Sequence, residues 1–387
     1  MNGSWYRLNE ICSPKQWKTI ALSELSTEGY PVYGANGIIG YYSDYTHTEE
    51  TLLVTCRGAT CGELNICQPY SYVNGNAMAL DKLDKEKVLI KYLYYYLKNR
   101  GFNDVISGSA QPQITRNNIS KIKIFLPEKK IQQKIVDLLD KNVNLIDKRK
   151  AQIEALDQLT QSVFLEMFGD PSTNPKRWKK VNLEEIAIKE KGAIKSGPFG
   201  SQLLISEYVK NGIPVLGIDN VEKNKFVWAK PKAISEQKYK ELKAFRVYSG
   251  DVLISRTGTV GRTCVVPDDF KEGIIGPNLL KVTLDKNLML PEVLSIMFNY
   301  LPHVINQIKW MSPGATVPVF NTKNLKKVKV LVPDKKVQVE FVKKIKEVEE
   351  LKSKFILGLT DLEKNYNSLM QRAFKGELFT EEKVSNL

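Results

Sequence analysis

Two arginines stand where a strand-like run gives way to a glycine turn. Thr51-Leu52-Leu53-Val54-Thr55-Cys56-Arg57-Gly58 continues to Gly62, and Asp251-Val252-Leu253-Ile254-Ser255-Arg256-Thr257-Gly258 continues to Gly261. Each apolar, β-branched run delivers a guanidinium into a turn. Such a group offers a planar fork of N–H donors suited to two-point recognition of paired acceptors. Covalent and metal chemistry are poorly supplied by comparison. The five cysteines, Cys12, Cys56, Cys61, Cys67 and Cys264, fit no Cys-x-x-Cys zinc spacing, and their odd number argues for buried free thiols rather than a disulfide framework. Only His47 and His303 could serve a Ser-His-Asp or Cys-His scheme, and no His-Glu-x-x-His is present. Neither a Gly-x-x-x-x-Gly-Lys-Ser/Thr loop nor a Gly-x-Gly-x-x-Gly loop occurs, and Gly34 to Gly40 and Arg256 to Gly261 have the wrong spacing for either. The Asp/Asn-Pro-Pro-Tyr/Phe signature of amino-methyltransferases is absent. Pro267-Asp268 and Asp334-Lys335-Lys336 resemble scattered nuclease carboxylates only superficially. These residues therefore point to binding without catalysis.

Charge narrows the kind of partner. The 387 residues carry 57 Lys and Arg against 43 Asp and Glu, a net of +14, with 42% hydrophobic content. Residues 1–170 hold 20 basic and 19 acidic side chains, which leaves 37 and 24 for residues 171–387. A surplus of this kind favours a polyanion such as nucleic acid. No apolar stretch approaches the length of a membrane span and the N-terminus lacks a signal-peptide core, so a cytoplasmic protein is expected.

The elements that must position the arginines are written twice. Trp5, Leu8 and Glu10-Ile11 find an echo in Trp178, Leu183 and Glu185-Ile186, and Tyr30-Pro31-Val32-Tyr33-Gly34 in Ile213-Pro214-Val215-Leu216-Gly217. Towards the end of each half one offset of 206 holds without gaps. It pairs Ala110-Gln111-Pro112-Gln113-Ile114 with Thr316-Val317-Pro318-Val319-Phe320, and Asn118 to Pro127 with Asn324 to Pro333. The latter pair alternates like a half-buried strand and stops at proline. By contrast, Gly37 to Glu50 resembles nothing in Asp219 to Arg246, so the two halves differ between their shared segments.

After each proline the apolar period lengthens to about 3.5. The first seam is Ile135, Leu139, Asn142, Ile146, Arg149, Ile153, Leu156, Thr160, Val163 and Met167. Adding 206 gives Phe341, Ile345, Val348, Lys352, Phe355, Leu359, Leu362, Tyr366, Leu369 and Ala373. This is a coiled-coil seam of about five heptads; neither segment contains a proline, and the lone Gly358 costs only about 1 kcal/mol relative to Ala. Each helix would be about 60 Å long. The Gly-Asp-Pro-Ser-Thr-Asn-Pro-Lys-Arg linker before Trp178 spans at most about 35 Å. The second globular part is therefore expected near the far end of the first helix, with the second helix running back antiparallel. The expected fold is α+β: two mixed α/β domains joined by an antiparallel two-helix coiled coil, with an internal pseudo-twofold repeat.

With these segments in view, the chain resembles the specificity (S) subunits of Type I restriction–modification systems over nearly its whole length. The residues that carry the likeness are Ile213 to Gly217, Gly250 to Gly258, the stretch around Pro318, and Val328 to Pro333, with first-half counterparts Thr55 to Gly58 and Gln111 to Ile114. The first half departs by having Glu50-Thr51 where the second has Gly250-Asp251, so its turn is expected to differ in detail. The resemblance implies two target-recognition domains, residues 1–127 and 171–333, and two helical spacers, residues 128–170 and 334–387 with the C-terminal tail. It implies a DNA-binding, non-catalytic subunit that reads a bipartite asymmetric target in double-stranded DNA, one half per domain. The implied partners are two methyltransferase (M) subunits and motor–endonuclease (R) subunits, and no membrane; S-adenosylmethionine, ATP and Mg belong to those partners.

Affinity would come from Lys and Arg on phosphates and specificity from side chains at base edges. Arg with guanine, and Asn or Gln with adenine, are the pairings to expect. Candidates in the first half are Arg57, Thr60, Asn74, Asn76, Gln111, Gln113, Arg116 and Asn117. Those in the second half are Ser201, Gln202, Arg256, Thr257, Thr259, Asn278, Thr316, Asn321 and Lys323. A local turn or cap bond competes with DNA contact for each of them. Val143, Ala155 and Leu351 lie off the seam and are candidates for methyltransferase docking. Two other readings stay open: a specificity module of a Type II-like restriction complex, and a coiled-coil protein that binds nucleic acid without base preference. The last predicts two matching recognition surfaces.

Overall fold

The computed structural model describes residues 2–108, 111–229, 232–311 and 320–379. The chain divides into two compact units, residues 1–150 with 357–387, and residues 151–356.

In the first unit β1 (Gly3–Arg7) leads through a short turn to β2 (Ser13–Gln16), and β3 (Tyr30–Gly34) with β4 (Gly37–Tyr42) makes a hairpin. Then come β5 (Thr51–Thr55), β6 (Leu64–Cys67), β7 (Tyr72–Val73), β8 (Ala77–Asp81) and helix α1 (Ile90–Arg100). The antiparallel sheet runs in the order β2-β8-β5-β6, and β7 adds in parallel to β3. The Leu-Leu-Val run of β5 is continuous rather than alternating because both faces are covered. Leu52 and Val54 enter the main core with Tyr92 and Leu93, while Leu53 enters a smaller one with Tyr33 and Val73. Two short strands, β9 (Ile106–Ser107) and β10 (Gln113–Ile114), precede α2 (Arg116–Ser120), β11 (Lys123–Pro127) and the long α3 (Lys129–Phe168). β11 pairs back with β1.

The second unit repeats the plan. It begins with β12 (Lys179–Asn182), β13 (Ile194–Ser196), β14 (Tyr208–Val209), β15 (Ile213–Leu216), the hairpin β16 (Val221–Glu222) and β17 (Lys225–Phe226), β18 (Lys232–Ile234) and α4 (Glu236–Glu241). It continues with β19 (Val252–Ser255), β20 (Thr263–Val265), β21 (Ile274–Ile275), β22 (Leu279–Val282), α5 (Pro291–Tyr300), α6 (Pro302–Met311), α7 (Thr322–Lys326), β23 (Lys329–Val332) and the long α8 (Lys335–Phe374). Its sheet β13-β22-β19-β20 has the topology of β2-β8-β5-β6, and β21 adds in parallel to β15 as β7 does to β3. The divergence lies where the sequence places it. β3 pairs with the adjacent β4, whereas β15 pairs with β18, beyond the β16–β17 hairpin.

The offset of 206 survives at atomic detail. α2 and α7, and α3 and α8, coincide at both ends after the shift. Gln132, buried in the first turn of α3, accepts from the Leu89 N–H (3.0 Å) and donates to the Lys87 and Pro127 carbonyls (2.8 and 2.9 Å). Its repeat partner Gln338 accepts from the Leu290 N–H (2.8 Å) and donates to the Leu288 and Pro333 carbonyls, both at 2.8 Å. Each glutamine satisfies three backbone groups that would otherwise be buried without partners.

One part of the expected repeat needs correction. Trp5 lies opposite Phe125 and Lys180 opposite Leu331, and Phe125 and Leu331 are partners in the repeat. Trp5 therefore corresponds to Lys180. Trp178 precedes β12, and its indole N–H donates to the Phe168 carbonyl at the end of α3 (2.8 Å). The shared Trp is a coincidence of composition: one is an exposed strand residue, the other caps a helix.

Every residue of both seams is buried or half-buried. In the first unit Ile135, Leu139 and Ile146 share a core with Tyr366, Met370 and Ala373. In the second, Phe164, Met167 and Phe168 share one with Phe341, Val342 and Ile345. The start of α3 thus packs on the end of α8, and the end of α3 on the start of α8: the pair is antiparallel. Lys352, a charged seam residue, is accommodated by the Asp157 carboxylate and the Tyr300 hydroxyl. Burial raises the Asp157 acid, but hydrogen bonds from Lys352 and Tyr300 outweigh it and hold the carboxyl below its ordinary value.

Candidate nucleic-acid interface

The chemistry of the arginine turns starts from the strands beneath them. In the first unit β5 ends at Thr55, and the chain turns through Gly58 and Gly62, both at positive φ. The Gly62 N–H returns to the Thr55 carbonyl (2.8 Å). The backbone of Cys56 is gripped from two sides, by the Asn76 carbonyl and the Ile114 N–H, each at 3.0 Å. Arg57 bridges to Gln113, and the Gly58 N–H donates to Pro112 (3.1 Å). These bonds bring Arg57, Asn76, Gln111 and Gln113 to one rim, and Arg116 and Asn117 follow in the first turn of α2. Arg57, Asn76, Gln111, Arg116 and Asn117 are exposed, and Gln113 is half-buried. Thr60, in the same turn, donates to Asn36 Oδ1 (2.8 Å). Asn74 stands apart: it is buried, its amide donates to the Ile20 carbonyl (3.1 Å) and its oxygen accepts from the Gly75 N–H (2.7 Å). That side chain is occupied with holding the turn before β8.

The second unit builds the same rim with different residues. Gly258 and Gly261 hold positive φ, and the Gly261 N–H returns to the Ser255 carbonyl (2.9 Å). Arg256 takes the backbone bonds that Cys56 takes in the first unit: its N–H donates to Asn278 and its carbonyl accepts from Phe320, each at 3.0 Å. Arg256 is thus the counterpart of Cys56, and Arg57 that of Thr257. The two arginines do not form an equivalent pair, because a one-residue shift along extended chain turns the side chain to the other face. Arg57 is exposed, whereas Arg256 is buried beneath Phe199. Thr259 and Asn278 are exposed and Thr257 half-buried around it. Exposed Ser201 and Gln202 lie in a short turn, where Gln202 Oε1 accepts from the Phe199 N–H (3.0 Å). Asn321 caps α7 through the Asn324 N–H (2.9 Å), and Lys323 is exposed in that helix. Thr316 lies outside the described residues. Phe199 carried no motif in the sequence; only its stacking on Arg256 draws it into the site.

The Gly250-Asp251 difference also has a physical cause. Asp251 is buried and accepts from Lys281 Nζ (3.1 Å), the Tyr248 N–H (2.9 Å) and the Thr283 hydroxyl. In the first unit the register positions of Asp251 and Lys281 are held by Thr51 and Ala79. With no buried ammonium there is no need for a carboxylate.

All five cysteines are free and four are buried; burial pushes the Cys12 and Cys264 thiols up to about 12, which keeps them protonated. Among the described residues there is no cluster of His, Cys, Asp and Glu that could hold a metal ion. No helix among them is long and apolar enough to cross a membrane.

The class of protein is set by a doubled α+β scaffold, in which each copy carries a polar turn beside its central sheet and two long helices pack antiparallel. Comparison with known proteins names the family. Residues 4–156 and 175–361 match the Type I restriction modification DNA specificity domain, and the chain belongs to this family. It is 28% identical over 364 residues to a putative type I restriction enzyme specificity subunit of Haemophilus influenzae, covering 92% of this chain and 90% of that protein. It is 23% identical to the MjaVIII specificity subunit of Methanocaldococcus jannaschii, covering 94% and 86%. Its fold is similar to the crystal structure of the S subunit from M. genitalium, with a TM-score of 0.59 at 16% identity, covering 97% of this chain and 96% of that one. The chain is a DNA specificity subunit of a Type I restriction–modification system, the non-catalytic component, and the cofactors of such systems reside on the methyltransferase and motor subunits.

Proposed function

We propose that the arginine-bearing rim of each unit reads one half of a split, asymmetric target in double-stranded DNA. The recognition domains are residues 1–127 and 171–333. The spacers, residues 128–170 and 334–387, set the gap between the half-sites and dock two methyltransferase subunits, which motor–endonuclease subunits join in the cytoplasm. The observation that carries this reading is a repeat kept in its framework and changed at its rims. Arg256 stands where the first unit has Cys56, and the β16–β17 hairpin is inserted only in the second unit. Matching rims would suit a binder without base preference; unlike rims suit an unsymmetrical sequence. Docking is supported by apolar side chains left exposed on the long helices, Leu145 and Leu357 in the first unit and Leu159, Val339 and Leu351 in the second. Ala155 is also exposed, and Val143 half-buried.

The spacer role is tested by lengthening both long helices by one heptad at their middles. Seven residues add about 10 Å and keep the seam in frame, which corresponds to about three base pairs at about 3.4 Å each. Mapping methylated adenines should return the same two half-sites with a gap about three base pairs wider. An unchanged gap would exclude the helices as the ruler. Within the first rim, Arg57→Ala should weaken target binding by about 1–3 kcal/mol and relax one base position of one half-site. Titration against single-base variants of the target checks this; an unaltered base preference would remove Arg57 from the reading surface.

A further inference from the structure

Arg256 is 8% exposed, yet its charge is barely answered. Among the described residues the guanidinium makes one hydrogen bond, a long one from Nη1 to the Pro277 carbonyl (3.5 Å), and its Nε is buried with no partner. Burial pulls the guanidinium below its ordinary value, the direction expected of a cation lacking a counter-charge. A buried charge so poorly partnered is costly unless something else completes its hydrogen bonds. What the group does have is a platform. The guanidinium carbon sits 4.4 Å from the centre of the Phe199 ring, and that ring is half-exposed.

The chain has been shaped to put Phe199 there. Gly197 leaves the edge of β13 so close to Gly276 that a Cβ would collide with the Gly276 carbonyl. The Gly197 N–H is tied to Leu279 (3.1 Å), and two residues later the Phe199 N–H is held by Gln202. In the first unit the same slot is closed internally. Cys56 replaces Arg256, and Gln16 from β2 fills the space, its amide reaching Cys56 Sγ (3.0 Å) and the Gly75 carbonyl (3.1 Å). One unit therefore presents a stacked cation at this register and the other presents none.

We propose that Phe199 is a specificity-determining positioning residue. It fixes the plane of Arg256 so that the terminal Nη groups meet the paired N7 and O6 acceptors of one guanine in the half-site read by the second unit. This rests on the reading of the chain as a sequence-specific DNA binder. A guanidinium fork matches guanine's major-groove edge and also a phosphate, and the ring selects between them. A stacked guanidinium keeps one orientation, which a base edge requires and a phosphate does not.

The test is selection from a randomised duplex library by the full chain assembled with its methyltransferase subunits, as wild type, Phe199→Leu, Phe199→Trp and Arg256→Gln. Wild type should enrich one motif containing a guanine that Arg256→Gln no longer selects. Phe199→Leu should lower the preference for that guanine about 5- to 20-fold and leave every other position as it was, while Phe199→Trp, which restores the platform, should recover it. A thermal melt equal to wild type for Phe199→Leu separates the effect from misfolding. The proposal is overturned if Phe199→Leu leaves the motif unchanged. It is also overturned if Phe199→Leu and Arg256→Gln weaken binding equally for all sequences with a shallower salt dependence, the mark of a phosphate contact. A wild-type complex that enriches no motif would instead remove the DNA-reading function itself.

Discussion

Replacing Asp251 with alanine should destabilise the second unit by about 3–5 kcal/mol, the cost of leaving one member of a buried ion pair alone. The carboxylate answers Lys281, Thr283 and the Tyr248 N–H together, and it has no exposed surface through which water could take its place. The first unit suggests the rescue. Its sheet has the same topology and register with Thr51 and Ala79 at these two positions. The double variant Asp251→Thr with Lys281→Ala should therefore recover more than half of the loss, because a buried pair is often dispensable once both charges go. Urea unfolding of the single and double variants measures both quantities. A loss below about 1 kcal/mol for Asp251→Ala, or no recovery in the double variant, would contradict the pairing.

Phe341→Ala should cost about 3–5 kcal/mol, the range for truncating a fully buried aromatic. Phe341 begins the seam of α8 and sits among residues from the end of α3: Phe168 at 4.8 Å between ring centres and Phe164 at 5.6 Å, themselves 4.6 Å apart. Three interlocked rings leave no route by which the gap could close cheaply. Phe341→Leu keeps most of the volume and should cost less than half as much. Unfolding with the tryptophans as probes distinguishes these outcomes. An alanine variant as stable as wild type would mean that α8 does not start against the end of α3, and the antiparallel arrangement would lose its main contact.

The sequence made the framework legible because the framework is made of repetition and period. The offset of 206 marked both long helices, whose ends coincide after the shift, and the seam from Ile135 to Met167 is buried or half-buried throughout. The rims were harder to read, and for a physical reason. Side-chain direction in a strand reverses with each residue, so two arginines one step out of register look alike in sequence and face opposite ways in space. The bonds that settle the register, from Cys56 to Asn76 and from Arg256 to Asn278, join segments distant in the chain. Phe199 was invisible for the same reason: nothing near it in sequence predicts a guanidinium beneath it. The two tryptophans misled in the opposite direction, since Trp5 and Trp178 share a type but not a register. Asn74 shows a further limit, because a polar residue at a turn can be consumed by the turn itself.

The central claim is that one chain carries two unlike reading surfaces at a set separation. Mapping methylated adenines in cells that express this chain with its methyltransferase subunits tests it most directly. The expected result is one motif with two different defined halves, separated by a constant run of unspecified bases, with one methylated adenine on each strand. A contiguous motif, or one whose halves are inverted copies of each other, would contradict it.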